Sequence, residues 1–149
     1  MTSPVAQTLA MVAGAAADAG DAWWIIGSAA VVLHGRSLPE PRDVDLIMSA
    51  RDAEALLKRL GQAPRKGAPS DRFQSAVFGT WTEPPIPVEI MGGFRLRTRE
   101  GWQDVAPATR EAVTVQGTTL FVPSADELAA FLRAFGRSKD LERIDALRP

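Results

Sequence analysis

The sequence predicts a mixed α/β (α+β) fold in which a sheet of four to six strands is flanked by helices, and three observations predict it. Trp23-Trp24-Ile25-Ile26 is an apolar run too short for a helix and is stopped by Gly27, so it reads as a buried strand. A second apolar run, Val44 to Met48, leads directly into Ser49 to Leu60, where apolar residues recur at helical spacing. Further on, short apolar runs paired across Gly- and Pro-bearing turns read as hairpins, and a capped helical segment follows them.

The elements follow in order. Val5 to Ala19 carries helix formers with spaced apolar residues (Val5, Leu9, Val12, Ala16), has Pro4 where a first-turn proline is tolerated, and ends near Gly20. After the Trp23–Ile26 strand, Ser28 is placed to cap a helix over Ala29 to His34, which Gly35 ends. A loop with Pro39 and Pro41 leads into the Val44–Met48 strand. The helix from Ser49 has Ala53, Leu56, Leu57 and Leu60 on one face and closes at Gly61. Gln62 to Ser70 is a loop. Arg72 to Trp81 and Pro87 to Met91 form a hairpin of two strands, broken by Gly92-Gly93, and Arg95 to Arg110 reads as a loop. Ala112 to Val115 and Thr119 to Val122 form a second hairpin around Gln116-Gly117-Thr118. Ser124 with Glu127 makes a capping box for a helix with Leu128, Phe131, Leu132 and Phe135 on one face; Gly136 interrupts it, and Ser138 to Leu147 is a final helix.

Composition narrows the chemistry. The 17 Lys and Arg nearly balance the 18 Asp and Glu, which removes a whole-surface polyanion binder. With no Cys and one His there is no disulfide framework, thiolate zinc site, cysteine nucleophile or histidine-rich metal site, so any metal is held by oxygen. The apolar N-terminus has no preceding Lys or Arg and is broken by Gln7, Thr8, Gly14 and Asp18, so we read no signal peptide. No segment reaches the ~20 apolar residues of a membrane span, and the cytoplasm is the expected location.

The chemistry-bearing span is Ile26-Gly27-Ser28, a spacer of 14 residues, then Asp43-Val44-Asp45-Leu46. Carboxylates at i and i+2 of a strand project from the same face, and packing two like charges there costs energy unless a cation lies between them. Mg²⁺, a hard oxygen-seeking ion bound by one or two carboxylates together with substrate phosphates, fits that need. Gly27-Ser28 lies where a strand ends and a helix starts, so backbone N–H groups and a hydroxyl can face a phosphate. Val88-Glu89-Ile90 offers a third acid, flanked by apolar residues in a strand. Glu83, in the Thr82-Glu83-Pro84-Pro85 turn, is its competitor and ranks lower.

On these residues the chain resembles the nucleotidyltransferase superfamily that shares its fold with DNA polymerase beta, in particular its small bacterial members. Those carry a hydrophobic residue with Gly and Gly or Ser, a spacer, Asp-x-Asp or Asp-x-Glu, and a later acid in a neighbouring strand; Ile26-Gly27-Ser28, Asp43-Val44-Asp45 and Val88-Glu89-Ile90 match in order. The spacer is at the long end, and Glu89 stands where Asp is more usual. Arg137-Ser138-Lys139-Asp140 is also similar to the Arg-x-Lys-Asp signature near the C-terminus of abortive-infection toxin and lincosamide-modifying relatives, and the chain as a whole resembles these and the aminoglycoside nucleotidyltransferases. The resemblance implies one nucleotidyltransferase-like domain over 1–149, with C-terminal helices at about 124–147. It implies transfer of a nucleoside monophosphate from a nucleoside triphosphate to an acceptor hydroxyl, with release of pyrophosphate and two Mg²⁺ ions. Asp43, Asp45 and Glu89 would then be catalytic residues and metal ligands, and Gly27, Ser28 and Lys139 would hold nucleotide. The acceptor is a small molecule such as an antibiotic, or RNA or protein as in toxin and antitoxin pairs, where an antitoxin protein would be a partner.

Plainer readings stand beside these. An Asp-x-Asp after a proline-rich loop is also an ordinary strand start, and Glu89 alone is also an edge-strand charge that discourages aggregation. His34 reads as a helix terminator, Trp23 and Trp24 as core and sheet surface, and Lys139 and Arg72 as solvated charges. A catalytically silent member that binds nucleotide or a partner, and a structural module with coincidental acids, are the competing functions. Magnesium-dependent nucleotide binding separates the last from the others, and turnover separates the first two.

Overall fold

The computed structural model describes residues 3–64 and 72–148. The first helix, α1 (Pro4–Ala16), is capped by the Ser3 hydroxyl, which accepts from the Ala6 N–H at 3.2 Å, and it buries Leu9, Val12 and Ala16. It stops three residues earlier than the expected span, and the segment to Gly20 is irregular. β1 (Trp24–Ile26) runs straight into α2 (Gly27–Leu33). The expected Ser28 cap is corrected here. Ile26 is the N-cap residue and gives no side-chain bond, because the helix begins at Gly27 and Ser28 already lies in its first turn.

β2 (Val44–Met48) and α3 (Ala50–Arg59) stand as expected, with the Ser49 hydroxyl capping at the Asp52 N–H. The 62–70 loop lies outside the described residues from 65 onward. The expected Arg72–Trp81 strand is two strands, β3 (Phe73–Gln74) and β4 (Val77–Trp81), which belong to different sheets. β4 forms the expected antiparallel hairpin with β5 (Val88–Gly92). The expected loop over Arg95 to Arg110 holds a hairpin of β6 (Arg95–Thr98) and β7 (Gly101–Asp104). β8 (Glu111–Val115) and β9 (Thr118–Val122) turn through two residues, not three: Gln116 and Gly117 both have positive φ, as a primed two-residue turn requires, and Thr118 pairs with Val115.

α4 (Ala125–Phe135) is capped by Ser124, which accepts from the Glu127 N–H. The second half of the expected capping box is absent. Glu127 turns away to accept from the Ala108 and Thr109 N–H groups at 2.7 and 2.8 Å, fastening the loop before β8, and Ser124 N–H finds the Thr109 hydroxyl. α5 (Ser138–Leu147) follows a left-handed Gly136.

The main sheet has the order β1-β2-β5-β4, with β2 and β5 parallel and the outer pairs antiparallel. β3, β6 and β7 form a second sheet and β8-β9 a ribbon. Alternation gives the main sheet two faces. Val44, Leu46, Val88 and Ile90 lie on one, all fully buried. There α3 comes so close that a Cβ on Gly79 would meet the Leu57 side chain at 2.5 Å. The opposite face carries Asp45 and Glu89. Among the described residues no helix is long and apolar enough to cross a membrane.

Candidate active site

The register of the four strands places Ile26, Asp45, Glu89 and Thr80 side by side, in one row across the acid-bearing face. Asp43, just before β2, sits one alternation step from Asp45 on that face. Asp43, Asp45 and Glu89 each offer a carboxylate oxygen, and these three atoms lie within 4.8 Å of one another. This is a donor set that could bind a metal ion. Glu83 takes no part: it lies exposed in the turn between β4 and β5.

The cost of assembling three acids is written in their titration. Burial, then the charges of Asp43 and Glu89, push the Asp45 carboxyl up to about 8, with the Arg143 charge acting the other way. Burial and the Asp43 charge also raise Glu89, while Lys139 opposes that rise. Asp45 and Glu89 thus hold protons more tightly than free carboxylates do, and a divalent cation between the three would relieve the same repulsion.

Gly27 closes the row from the β1 side. Its φ is +73°, a backbone conformation that side chains rarely adopt, and a Cβ built there would stand 2.7 Å from Asp45 Oδ2. Glycine at this position lets the strand-to-helix turn pass directly beside the carboxylate. Ser28 follows half-buried at the start of α2, its hydroxyl not spent on capping.

From the other side comes α5. Lys139, exposed in its first turn, is near enough for its charge to act on Glu89. Behind it, Asp140 is fully buried and accepts from the Arg137 backbone N–H at 3.1 Å, from Arg137 Nε and Nη2 at 2.7 and 3.1 Å, and from Arg143 Nη1 at 3.3 Å. Arg143, with 15% of its side chain exposed, is held by this bond with its charge acting on Asp45. Sequence reasoning gave no role to Arg143 or Thr80. Arg143 carries only a helical-spacing signal, three residues after Asp140, and Thr80 shows itself only once the register of β4 on β5 is known. His34 ends α2 with its Nε2 at 2.8 Å from the Pro123 carbonyl, a structural tie. Trp23 is core, packed edge-on against Phe121, and Trp24 lies on the sheet surface with its Nε1–H donating to the Thr109 carbonyl.

Solved structures share this arrangement of strands and helices. TM1012 from Thermotoga maritima, a nucleotidyltransferase by assignment, superposes with a TM-score of 0.77 at 22% identity, over 97% of this chain and 93% of that one. The chain has the nucleotidyltransferase fold. The lincosamide antibiotic adenylyltransferase LnuA, solved with lincomycin bound, matches that fold at a TM-score of 0.61 and 14% identity over 92% of both chains. ANT(2″)-Ia, solved in complex with adenylyl-2″-tobramycin, matches at 0.58 and 14% identity over 96% of this chain and 86% of its own. No family model and no curated protein matches the sequence.

Proposed function

We propose that this protein is a Mg²⁺-dependent nucleotidyltransferase. It moves a nucleoside monophosphate from a nucleoside triphosphate to an acceptor hydroxyl and releases pyrophosphate. The observation that carries the reading is the convergence of Asp43, Asp45 and Glu89 on one face of a nucleotidyltransferase-type sheet, beside a glycine turn that admits backbone and little else. The donor set is all carboxylate oxygen, which suits Mg²⁺. Asp43 and Asp45 would hold the ions, and Glu89 would complete the set on the acceptor side. Bound there, Mg²⁺ neutralises triphosphate charge and lowers the barrier to attack by the acceptor oxygen.

The chain's own residues do the rest. Gly27 and Ser28 face the terminal phosphates, Lys139 and Arg143 supply positive charge from α5, and Glu89, already inclined to keep a proton, accepts the one the acceptor loses. The acceptor oxygen bonds to the α-phosphorus as the bond to the bridging oxygen breaks, and that electron pair leaves with pyrophosphate.

The test is a set of four variants. Mg²⁺-dependent ATP binding by calorimetry should weaken at least about tenfold in Asp43→Asn and Asp45→Asn. Glu89→Gln should keep most of the affinity and lose pyrophosphate release by orders of magnitude, since its contribution belongs to the transition state. Glu83→Gln should match the wild type in both. Wild-type release from Glu89→Gln, or ATP binding indifferent to both aspartates, would overturn the assignment.

A further inference from the structure

A cavity of about 700 Å³ is lined jointly by the main sheet and the β3-β6-β7 sheet. Trp24 and Ile47 line it from the main sheet, and they face each other across β1 and β2 one alternation step from the Ile26–Asp45 pair. They therefore lie on the acid-bearing face, about 7 Å along the strands from Asp45. Phe94 and Val105 line it from the other side.

Among the described residues, the charges around this cavity are spent within the protein. Asp21 accepts from Arg51 Nε and Nη2, both at 2.9 Å, and Asp104 accepts from Arg95 Nε at 2.9 Å. Arg95 is itself a lining residue, so its charge and that of Asp104 cancel at the rim. The other polar side chains that border the space among the described residues, Ser49, Gln74 and Ser75, are neutral, and Ser75 is only 6% exposed. A ligand ammonium or phosphate entering here would lose its hydration and gain no unpaired opposite charge from the described residues. A neutral molecule loses far less, and a hydroxyl or amide at its edge has Gln74 and Ser75 to bond.

We infer that this cavity receives the acceptor, and that the acceptor is an uncharged small molecule with a flat apolar body and a hydroxyl group. The inference rests on the nucleotidyl-transfer reading of the acid row. The reacting hydroxyl reaches toward Asp45 and Glu89 while the apolar body lies over Trp24 and Ile47. In the transfer its O–H proton passes to Glu89, its oxygen gains the bond to the α-phosphorus, and pyrophosphate departs with the electron pair of the broken bond.

The experiment compares two probes of one shape, 2-naphthalenemethanol and the 2-naphthylmethylammonium ion, by amide chemical-shift titration of the full chain. The neutral probe should shift the Ser75, Ala76 and Val105 amides and bind at least about tenfold more tightly than the cation. Ala106→Trp, a substitution at an exposed lining position, should abolish that binding and leave Mg²⁺-ATP affinity unchanged. Mn²⁺ should broaden the resonances of the bound neutral probe in the wild type and not in Asp45→Asn. Equal or tighter binding of the cation overturns the charge class. Neutral-probe binding that survives Ala106→Trp, or an absence of binding in a protein that takes Mg²⁺-ATP normally, overturns the cavity and leaves the nucleotide site standing. Failure of Mg²⁺-ATP and Mn²⁺ to bind overturns the nucleotidyl-transfer reading, and the acceptor role falls with it.

Discussion

Asp45 shows how a single carboxylate links stability to chemistry. Its native carboxyl titrates near 8 against an ordinary 3.8, so between those values the folded chain holds a proton that the unfolded chain releases. A carboxylate raised in the folded state costs stability as pH rises: nothing below about 4, the full amount by about 8. The residue is only half-buried, so we expect about 2 kcal/mol rather than the ~6 kcal/mol to which the whole shift corresponds. Without divalent cations, Asp45→Asn should melt with the wild type at pH 4 and about 5 °C above it at pH 8, and saturating Mg²⁺ should close the gap by stabilising only the wild type. A gap that is constant across pH would mean that Asp45 is not the titrating group. Asp45 and Glu89 stand out in the sequence because a carboxylate between apolar strand residues is conspicuous, and Asp43 because it precedes Asp45 by two positions. Thr80 does not, since a threonine on an edge strand is ordinary until its neighbour is known to be Glu89.

Among the described elements, α5 is the one whose contribution rests on a buried charge. Four donors converge on Asp140, three of them from the guanidinium groups of Arg137 and Arg143, which would otherwise lie against the protein with their charge uncompensated. Removing one partner of such an arrangement typically costs 3–5 kcal/mol. We expect Asp140→Ala to lose about that much in urea unfolding and Asp140→Asn to lose less, because the amide oxygen still accepts from the Arg137 N–H. If Asp140→Ala unfolds at the wild-type urea midpoint, the network is incidental. Elements with a strong period were legible: α3 and α4 carry apolar stripes and capping serines, and β2 is a continuous apolar run broken by one acid. The β6-β7 hairpin was not, because Arg95-Leu96-Arg97-Thr98 has one apolar side chain and a turn, Arg99-Glu100, without the usual glycine pair. Its stability comes from elsewhere, with Leu96 buried and Phe73 and Phe94 stacked at 5.7 Å beneath Phe135. The split of the expected Arg72–Trp81 strand has a similar cause, since nothing local at Ser75-Ala76 signals a change of sheet.

At the scale of the molecule, the helices and most of the strands were readable and the sheet order was not. Antiparallel neighbours such as β4 and β5 announce themselves through a turn, whereas the pairing of β2 with β5 joins segments that are distant in the chain. That central parallel pair also governs when the molecule acquires its chemistry. A parallel pair cannot close through a tight turn, and everything from α3 to β4 must be gathered before Asp45 meets Glu89, at an entropic cost incurred before any contact rewards it. We expect the acid row to be a late event in folding, absent from the transition state. A cation that needs all three carboxylates can act only after the barrier, so Mg²⁺ should lower the unfolding rate and leave the refolding rate unchanged. Stopped-flow refolding and unfolding in urea, with and without Mg²⁺, reads this directly: faster refolding with Mg²⁺ would place the β2-β5 pairing before the barrier. On this account an ion bound by the three acids would set the lifetime of the native protein and have no part in how quickly the chain finds it.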